Sequence, residues 1–198
     1  MYVVFDTETT GLPRSRNASV SNVENWPRIV QIAWEAFDSN DRMTDSQSYI
    51  IRPDGFTIPA DAERVHGIST LIAQERGVPV AEALDAFVKI LSQSSVLIGH
   101  NLKFDTNIVG AEFHRLNLGD PFQDKTHACT MLATTDFCAL PGRYGYKWPT
   151  LPELYSRLFG ESVKESHEAA ADVAACSKCF FELKRLGVLT IASGQRAF

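Results

Sequence analysis

Apolar positions come in short runs over the first quarter of the chain and at helical spacing over much of the rest. Residues 2–6 (YVVFD) form a brief apolar run that ends in acid, which predicts a buried strand. Residues 29–37 (IVQIAWEAF) are rich in β-branched and aromatic side chains and predict a second strand. Residues 47–52 predict a third, stopped by Pro53, and Ser39-Asn40-Asp41 supplies a turn signal. Three strands this close together predict an antiparallel meander. Residues 13–28 are polar, hold three arginines and lack periodicity, so they read as a loop. The pattern then changes. Val80, Leu84, Phe87, Val88 and Leu91 fall at helical spacing. Residues 96–98 read as a buried strand, 104–116 as a helix, 151–159 as a helix opened by the capping box Thr150-x-x-Glu153 and stopped by Gly160. Residues 168–186 are the clearest helix, ending at Gly187. Strands followed by alternating strands and helices predict an α/β protein, a mixed sheet flanked by helices.

At 198 residues the chain is expected to form one domain, with residues 188–198 as a loosely held tail. No apolar run approaches the roughly 20 residues needed to cross a bilayer. The first residues have no basic leader or small-residue cleavage site, so a signal peptide is not expected. Cys176 and Cys179 have C-x-x-C spacing inside a helical pattern, without the second pair or spaced histidines that zinc sites use. Core or surface thiols in a reducing cytoplasm are the expectation. The net charge of −5 argues against coating long duplexes, which needs many basic contacts. It is compatible with gripping a few nucleotides at one strand end.

Three acidic segments carry the candidate chemistry: FDTETTGL (5–12), GHNLKFDTNIVG (99–110) and SHEAAAD (166–172). Residues two apart on a strand face the same way, so Asp6 and Glu8 point together. Side by side they repel unless one takes a proton or a hard divalent cation sits between them. A strand-end turn with solvated acids explains them equally well. Asp105 falls at a helix start, where favouring the helix N-terminus would be reason enough for a carboxylate. His167 and Asp172 are five apart, about 140° around a helix axis, so they cannot share a helix face. If both serve one site, Asp172 projects from the helix and His167 lies just before its first turn, with Ser166 as N-cap. Taken singly, His167 is also an ordinary exposed histidine at a helix end.

Together the residues and their intervals resemble the DEDDh group of 3′-5′ exonucleases, the DnaQ-like family that includes polymerase proofreading subunits. Asp6-Thr7-Glu8-Thr9-Thr10-Gly11 matches its first motif, His100-Asn101 with Phe104-Asp105 its second, and His167 with Asp172 its third. Val65-His66-Gly67-Ile68 is a softer match to the segment that helps bound the nucleotide pocket. A sibling group has tyrosine four residues before the last aspartate. That position here is Glu168, which leaves this chain on the histidine side. Many members carry Asp-Thr where this chain has Cys129-Thr130, a departure that touches packing or substrate preference and no metal ligand.

The resemblance implies a ribonuclease-H-like fold, five strands in a mixed sheet with strand two antiparallel, over an exonuclease domain of residues 1–187. It implies two divalent ions, Mg²⁺ or Mn²⁺, held by Asp6, Glu8, Asp105 and Asp172, with His167 taking a proton from the attacking water. Thr9, Thr10, Leu12, His66, His100, Asn101 and Phe104 would grip a single-stranded 3′ end. Nucleoside 5′-monophosphates would leave one at a time, from DNA rather than RNA. An exoribonuclease of the same family is the alternative. A polymerase or another replication or repair protein is the expected partner; no oligomeric state is implied. Two rivals come from other classes. FDTETTG superficially resembles the opening of haloacid dehalogenase phosphatases, although those want an aspartate where Glu8 stands and do not need His167. A non-catalytic nucleic-acid or protein-binding module could keep the fold. Arg143, Tyr144, Tyr146, Lys147 and Trp148 mix bases with aromatics. That segment either stacks on a strand or is anchored by Trp148 against the core, and anchoring is expected.

Overall fold

The computed structural model describes residues 1–161 and 167–191. One sheet carries five strands: β1 (Tyr2–Thr9), β2 (Ile29–Phe37), β3 (Met43–Ile50), β4 (Val96–Gly99) and β5 (Thr126–Cys129). Their order is β3-β2-β1-β4-β5. Strand β2 runs antiparallel to both neighbours, whereas β4 runs parallel to β1 and β5. Helices α1 (Ala60–His66), α2 (Thr70–Arg76) and α3 (Val80–Gln93) connect β3 to β4, and α4 (Leu102–Arg115) connects β4 to β5. After β5 come two single-turn helices, α5 (Thr130–Ala133) and α6 (Thr135–Cys138), and a small hairpin of β6 (Pro141–Gly142) and β7 (Gly145–Tyr146). Helices α7 (Leu151–Phe159) and α8 (Ala169–Arg185) complete the chain. This is the mixed sheet with an antiparallel second strand that the family resemblance implied.

Alternation along β1 sorts its side chains between two cores. Val3 and Phe5 join Ile32, Trp34, Phe87, Leu97 and Ile108 under α3 and α4. Val4 joins Ala33, Ile98, Val173, Cys176 and Phe180 under α7 and α8. Burying both faces of β1 and β4 explains their nearly continuous apolar reading.

Several element bounds differ from the sequence reading. Strand β3 begins at Met43 and ends at Ile50, against the expected 47–52. It is an edge strand, mostly exposed, so its polar first half carries no apolar signal. Strand β1 continues to Thr9 because β2 pairs with it that far. Strand β5, with the sequence THAC, and helices α1 and α2 were not read from the sequence. The capping box of α7 is present: Thr150 Oγ1 accepts from Glu153 N at 3.3 Å, and Glu153 Oε2 accepts from Thr150 N at 2.8 Å. Ser166, expected to cap α8, lies outside the described residues; the residue at the N-cap is Glu168. Of the expected tail, Leu189 is buried and Val188 and Ile191 pack beside it, while 192–198 lie outside the described residues.

The polar stretch 13–28 is tied down by a buried acid. Glu112 of α4 is 1% exposed, and its Oε1 accepts from Arg28 Nε at 2.8 Å and from the Ile29 backbone at 3.3 Å. Arg115 Nη1 lies 3.0 Å from the same oxygen. Arg115 also donates to the carbonyls of Val23 and Trp26, and the Asn25 side chain binds the Ser15 backbone through both its ends. Truncating Glu112 strands two guanidinium groups near the core. Glu112→Ala should cost about 3 kcal/mol of stability, read as a lowered urea midpoint. A midpoint within experimental error of the parent would refute the clamp.

Candidate active site

The acidic segments converge where β1 and β4 end. Pairing of Tyr2, Val3 and Val4 with residues 96–98 leaves Asp6 and Glu8 just beyond the parallel ladder. Both are half-buried and share the α8 side of the sheet with Val4, while Thr7 faces the α4 side. Gly11 turns the chain away at φ 145, a backbone region that a side chain makes costly.

Asp105 arrives from the opposite layer. Gly99 ends β4, and Asn101 takes the left-handed conformation (φ 74) that asparagine tolerates, starting α4. Asp105 then sits in the first turn, 2% exposed. Its Oδ1 accepts from Thr7 N at 3.1 Å and Thr7 Oγ1 at 2.7 Å. Thr7 therefore fixes the orientation of Asp105, a role the sequence reading missed because the two residues are 98 positions apart.

His167 and Asp172 come from the start of α8. His167 takes a left-handed conformation (φ 43) two residues before the helix begins, and Asp172 follows in the first turn. The N-terminus of α8 is satisfied from across the sheet: Gln31 Oε1 accepts from Ala169 N at 3.2 Å. Gln31 is buried, pairs opposite Glu8 in the β1–β2 ladder, and is held at its other end by Ser48 Oγ at 3.0 Å. It is a second positioning residue that sequence reasoning missed. A buried glutamine amid an apolar strand was the available signal.

Glu8, His167 and Asp172 each bring a ligand-type atom within 4.8 Å of the others, the single such trio among the described residues. Asp6 and Asp105 are not in that trio, but Asp6 feels the other three acids and Glu8 feels Asp105 and Asp172. Burial, then Asp105, Glu8 and Asp172, hold the Asp6 carboxyl well above the usual range. Burial, with Asp172 and Asp105 adding repulsion, pushes Glu8 up to about 8. Asp105 is pushed up to about 7 by burial, against the pull of its bonds from Thr7. Packing carboxylates this closely disfavours their charged forms, and a hard divalent cation relieves that repulsion. The oxygen-rich donor set fits Mg²⁺ or Mn²⁺.

The residues expected to grip substrate divide. Leu12 is 77% exposed, and Phe104 is half-buried at the mouth of a cleft. His66 ends α1 with Nδ1 accepting from Ile68 N at 3.1 Å, close enough to His167 and the Thr9 backbone to feel both. The hydroxyls of Thr9 and Thr10 are spent on the turn: Thr9 donates to Gly11 O at 2.7 Å, and Thr10 accepts from Arg28 N at 3.0 Å. His100 is a correction. One ring nitrogen pairs with Thr130 Oγ1 and the other with Pro149 O, each at 2.9 Å, and burial takes its pKa down to about 4. Neutral and doubly bonded, it holds the 140–149 segment to the end of β4. The Trp148 expectation also changes. Trp148 is 56% exposed and lines the cleft beside Phe104 rather than the core. Lys147 Nζ is engaged with Glu153 Oε1 at 2.5 Å. The four cysteines are buried free thiols, and burial pushes Cys179 up to about 12, as befits core residues.

A model of the RNase_T exonuclease family matches residues 3–180. The chain belongs to the DnaQ-like family of 3′-5′ exonucleases. It is 28% identical over 181 residues to DNA polymerase III subunit epsilon of Treponema pallidum, covering 90% of this chain and 74% of that one. It is 27% identical over 191 residues to Three-prime repair exonuclease 1 of Homo sapiens, covering 87% of this chain and 60% of the human protein. Of the 3′-5′ exonuclease DinG of Bacillus subtilis it spans only 17%. The fold resembles E. coli exonuclease I in complex with a dT13 oligonucleotide, with TM-score 0.70, 20% identity, and coverage of 94% of this chain and 42% of that one. Membership over this span displaces the haloacid dehalogenase reading of residues 5–11. Among the described residues, no helix is long and apolar enough to cross a membrane.

Proposed function

We propose that this protein is a metal-dependent exonuclease that removes nucleoside 5′-monophosphates from single-stranded 3′ ends, DNA in preference to RNA. The observation that carries the reading is the meeting of Asp6, Glu8, Asp105, Asp172 and His167 at the end of β1 and the start of α8. Asp6, Glu8, Asp105 and Asp172 would hold two divalent ions. Those ions, when bound, supply Lewis-acid activation of water and charge stabilisation for the departing 3′ oxygen. His167, whose ring lies beside Glu8 and Asp172, accepts the proton of the attacking water. Thr7 and Gln31 keep Asp105 and the start of α8 in register with β1. Leu12 and Phe104 offer apolar faces to the terminal base, and His66 and Thr9 border it. A zinc-bound complex of E. coli exonuclease I with single-stranded DNA supports use of a divalent ion in this fold. The likeness to a polymerase III epsilon subunit supports a replication or repair partner.

A labelled single strand, offered as DNA and as RNA with and without EDTA, tests the reading. Release of labelled mononucleotide from the 3′ end, faster from DNA and stopped by EDTA, is expected. Binding without cleavage in Mg²⁺ or Mn²⁺ would leave the non-catalytic module.

Metal should also appear in the melting curve, with a definite dependence on pH. Glu8 titrates near 8 in the folded protein and near 4.5 otherwise, and Asp105 near 7 rather than 3.8. Folded carboxyls raised in this way contribute stability that is complete below the unfolded values and lost as pH rises through the folded ones. The metal-free protein should therefore lose stability between about pH 4.5 and 8. Divalent ions bind the deprotonated ligands of the folded chain. Saturating Mn²⁺ should raise Tm clearly more at pH 8 than at pH 5.5. Equal shifts at both values, or none, would count against the cluster as a metal site.

A further inference from the structure

Beside the acidic cluster lies a cleft of about 310 Å³, lined by Leu12, Arg16, Asn101, Lys103, Phe104 and Trp148 among others. We infer that this cleft receives the nucleobase immediately upstream of the scissile phosphate, that Trp148 is its stacking face, and that Arg16 and Lys103 take the adjoining phosphates. The inference rests on the exonuclease reading of the neighbouring site.

Placement is the first argument. The cleft shares Leu12 and Phe104 with the position proposed for the terminal base, but none of Thr9, Thr10 or His66. It therefore opens on the far side of Leu12 and Phe104, where the strand must continue. Composition is the second. Two half- to mostly exposed apolar side chains, Trp148 at 56% and Leu12 at 77%, stand with two exposed cations around one small cavity. Aromatic faces with cations beside them suit a single strand, whose every base has a face to stack and whose backbone is anionic. At roughly 300 Å³ the cavity is at the small end of ligand clefts, suited to a base rather than a folded partner.

The third argument is that Trp148 is held in place although it is more than half exposed. A hairpin with two-residue strands has little stability of its own. This one is tied at its base by Lys147 N to Leu140 O at 2.9 Å, by the Lys147–Glu153 pair, and by His100 Nε2 to Pro149 O at 2.9 Å. The last bond links the residue next to Trp148 to His100, just past the end of β4 and three residues before Lys103 in the first turn of α4. Trp148 is thus set in register with the acidic site before substrate arrives, which lowers the ordering cost of binding.

The test separates the upstream strand from the chemistry. A single strand of about a dozen nucleotides fills the cleft, whereas the p-nitrophenyl ester of thymidine 5′-monophosphate offers a terminal nucleotide whose leaving group is a nitrophenyl ring, with no upstream base or further phosphate. Trp148→Ala should raise KM for the strand, and weaken its equilibrium binding in EDTA, by about tenfold or more. Hydrolysis of the ester should stay within about twofold, and Trp148→Phe should recover most of the strand affinity. Arg16→Ala with Lys103→Ala should lower the slope of log K against log salt by about 1.4 for single-strand binding. Unchanged strand KM and affinity in Trp148→Ala would overturn the inference, as would equal losses on strand and ester. Failure of the parent protein to hydrolyse either substrate would instead remove the exonuclease reading beneath it.

Discussion

Replacing Asp172 or Asp6 by alanine should cut metal-dependent nucleotide release by about a thousandfold or more while the protein remains folded. The size follows from what these groups are proposed to hold. Removing one carboxylate from a cluster that would bind divalent charge should weaken stabilisation of the transition state by several kcal/mol, and every 1.36 kcal/mol is tenfold in rate. The fold should survive because neither side chain contributes apolar burial, and because burial and neighbouring acids already make the Asp6 carboxylate costly. That cost gives the prediction a second half with opposite sign. At pH 8 without metal, Asp6→Asn should melt higher than the parent, since the carboxylate strains the folded state most when ionised. Adding Mn²⁺ should reverse the order, because the parent gains from an ion that the variant holds poorly. Full activity in either alanine variant would end the mechanism. An unchanged metal-free Tm in Asp6→Asn would remove the repulsion argued for the cluster.

His167→Ala should lower the rate by about a hundred- to ten-thousandfold, the range for loss of a positioned general base. Here the two assignments open to His167 part. As a base it is dispensable for holding ions, so the Mn²⁺-induced rise in Tm should persist in the variant. As a ligand, which its closeness to Glu8 and Asp172 would permit, its loss should erase much of that rise. A slow variant whose melting shift is retained supports the base. A slow variant whose shift has vanished assigns the imidazole to the metal instead.

Much of the proposed site was legible because its members sit at element ends, where sequence signals are sharpest. Asp6 and Glu8 close an apolar strand with two-residue alternation, and Asp105 follows a glycine-ended strand into a helix. Asp172 opens the most regular helix of the chain, with His167 displaced just ahead of it. The strands at the centre of the sheet were legible for a related reason: both faces are buried, so nearly every residue is apolar. At the edges this signal fails. The polar first half of β3 pairs through its backbone alone, and β5 has four residues that tell nothing of the strand beside them.

The sequence by itself determined the strands and helices that carry the acidic residues and the order of the acidic segments, because periodicity and spacing are local properties, and its motifs carried the resemblance to the family. Only the tertiary structure decided which groups support those acids and what the rest are free to do. Thr7 bonds to a residue 98 positions away, and Gln31 reaches a helix start 138 positions away. His100 is spent on a carbonyl 49 positions on, and Trp148 stands in a cleft instead of the core. Those outcomes depend on which backbone groups across the fold need partners, a demand that arises when the chain is packed and that no window along it records.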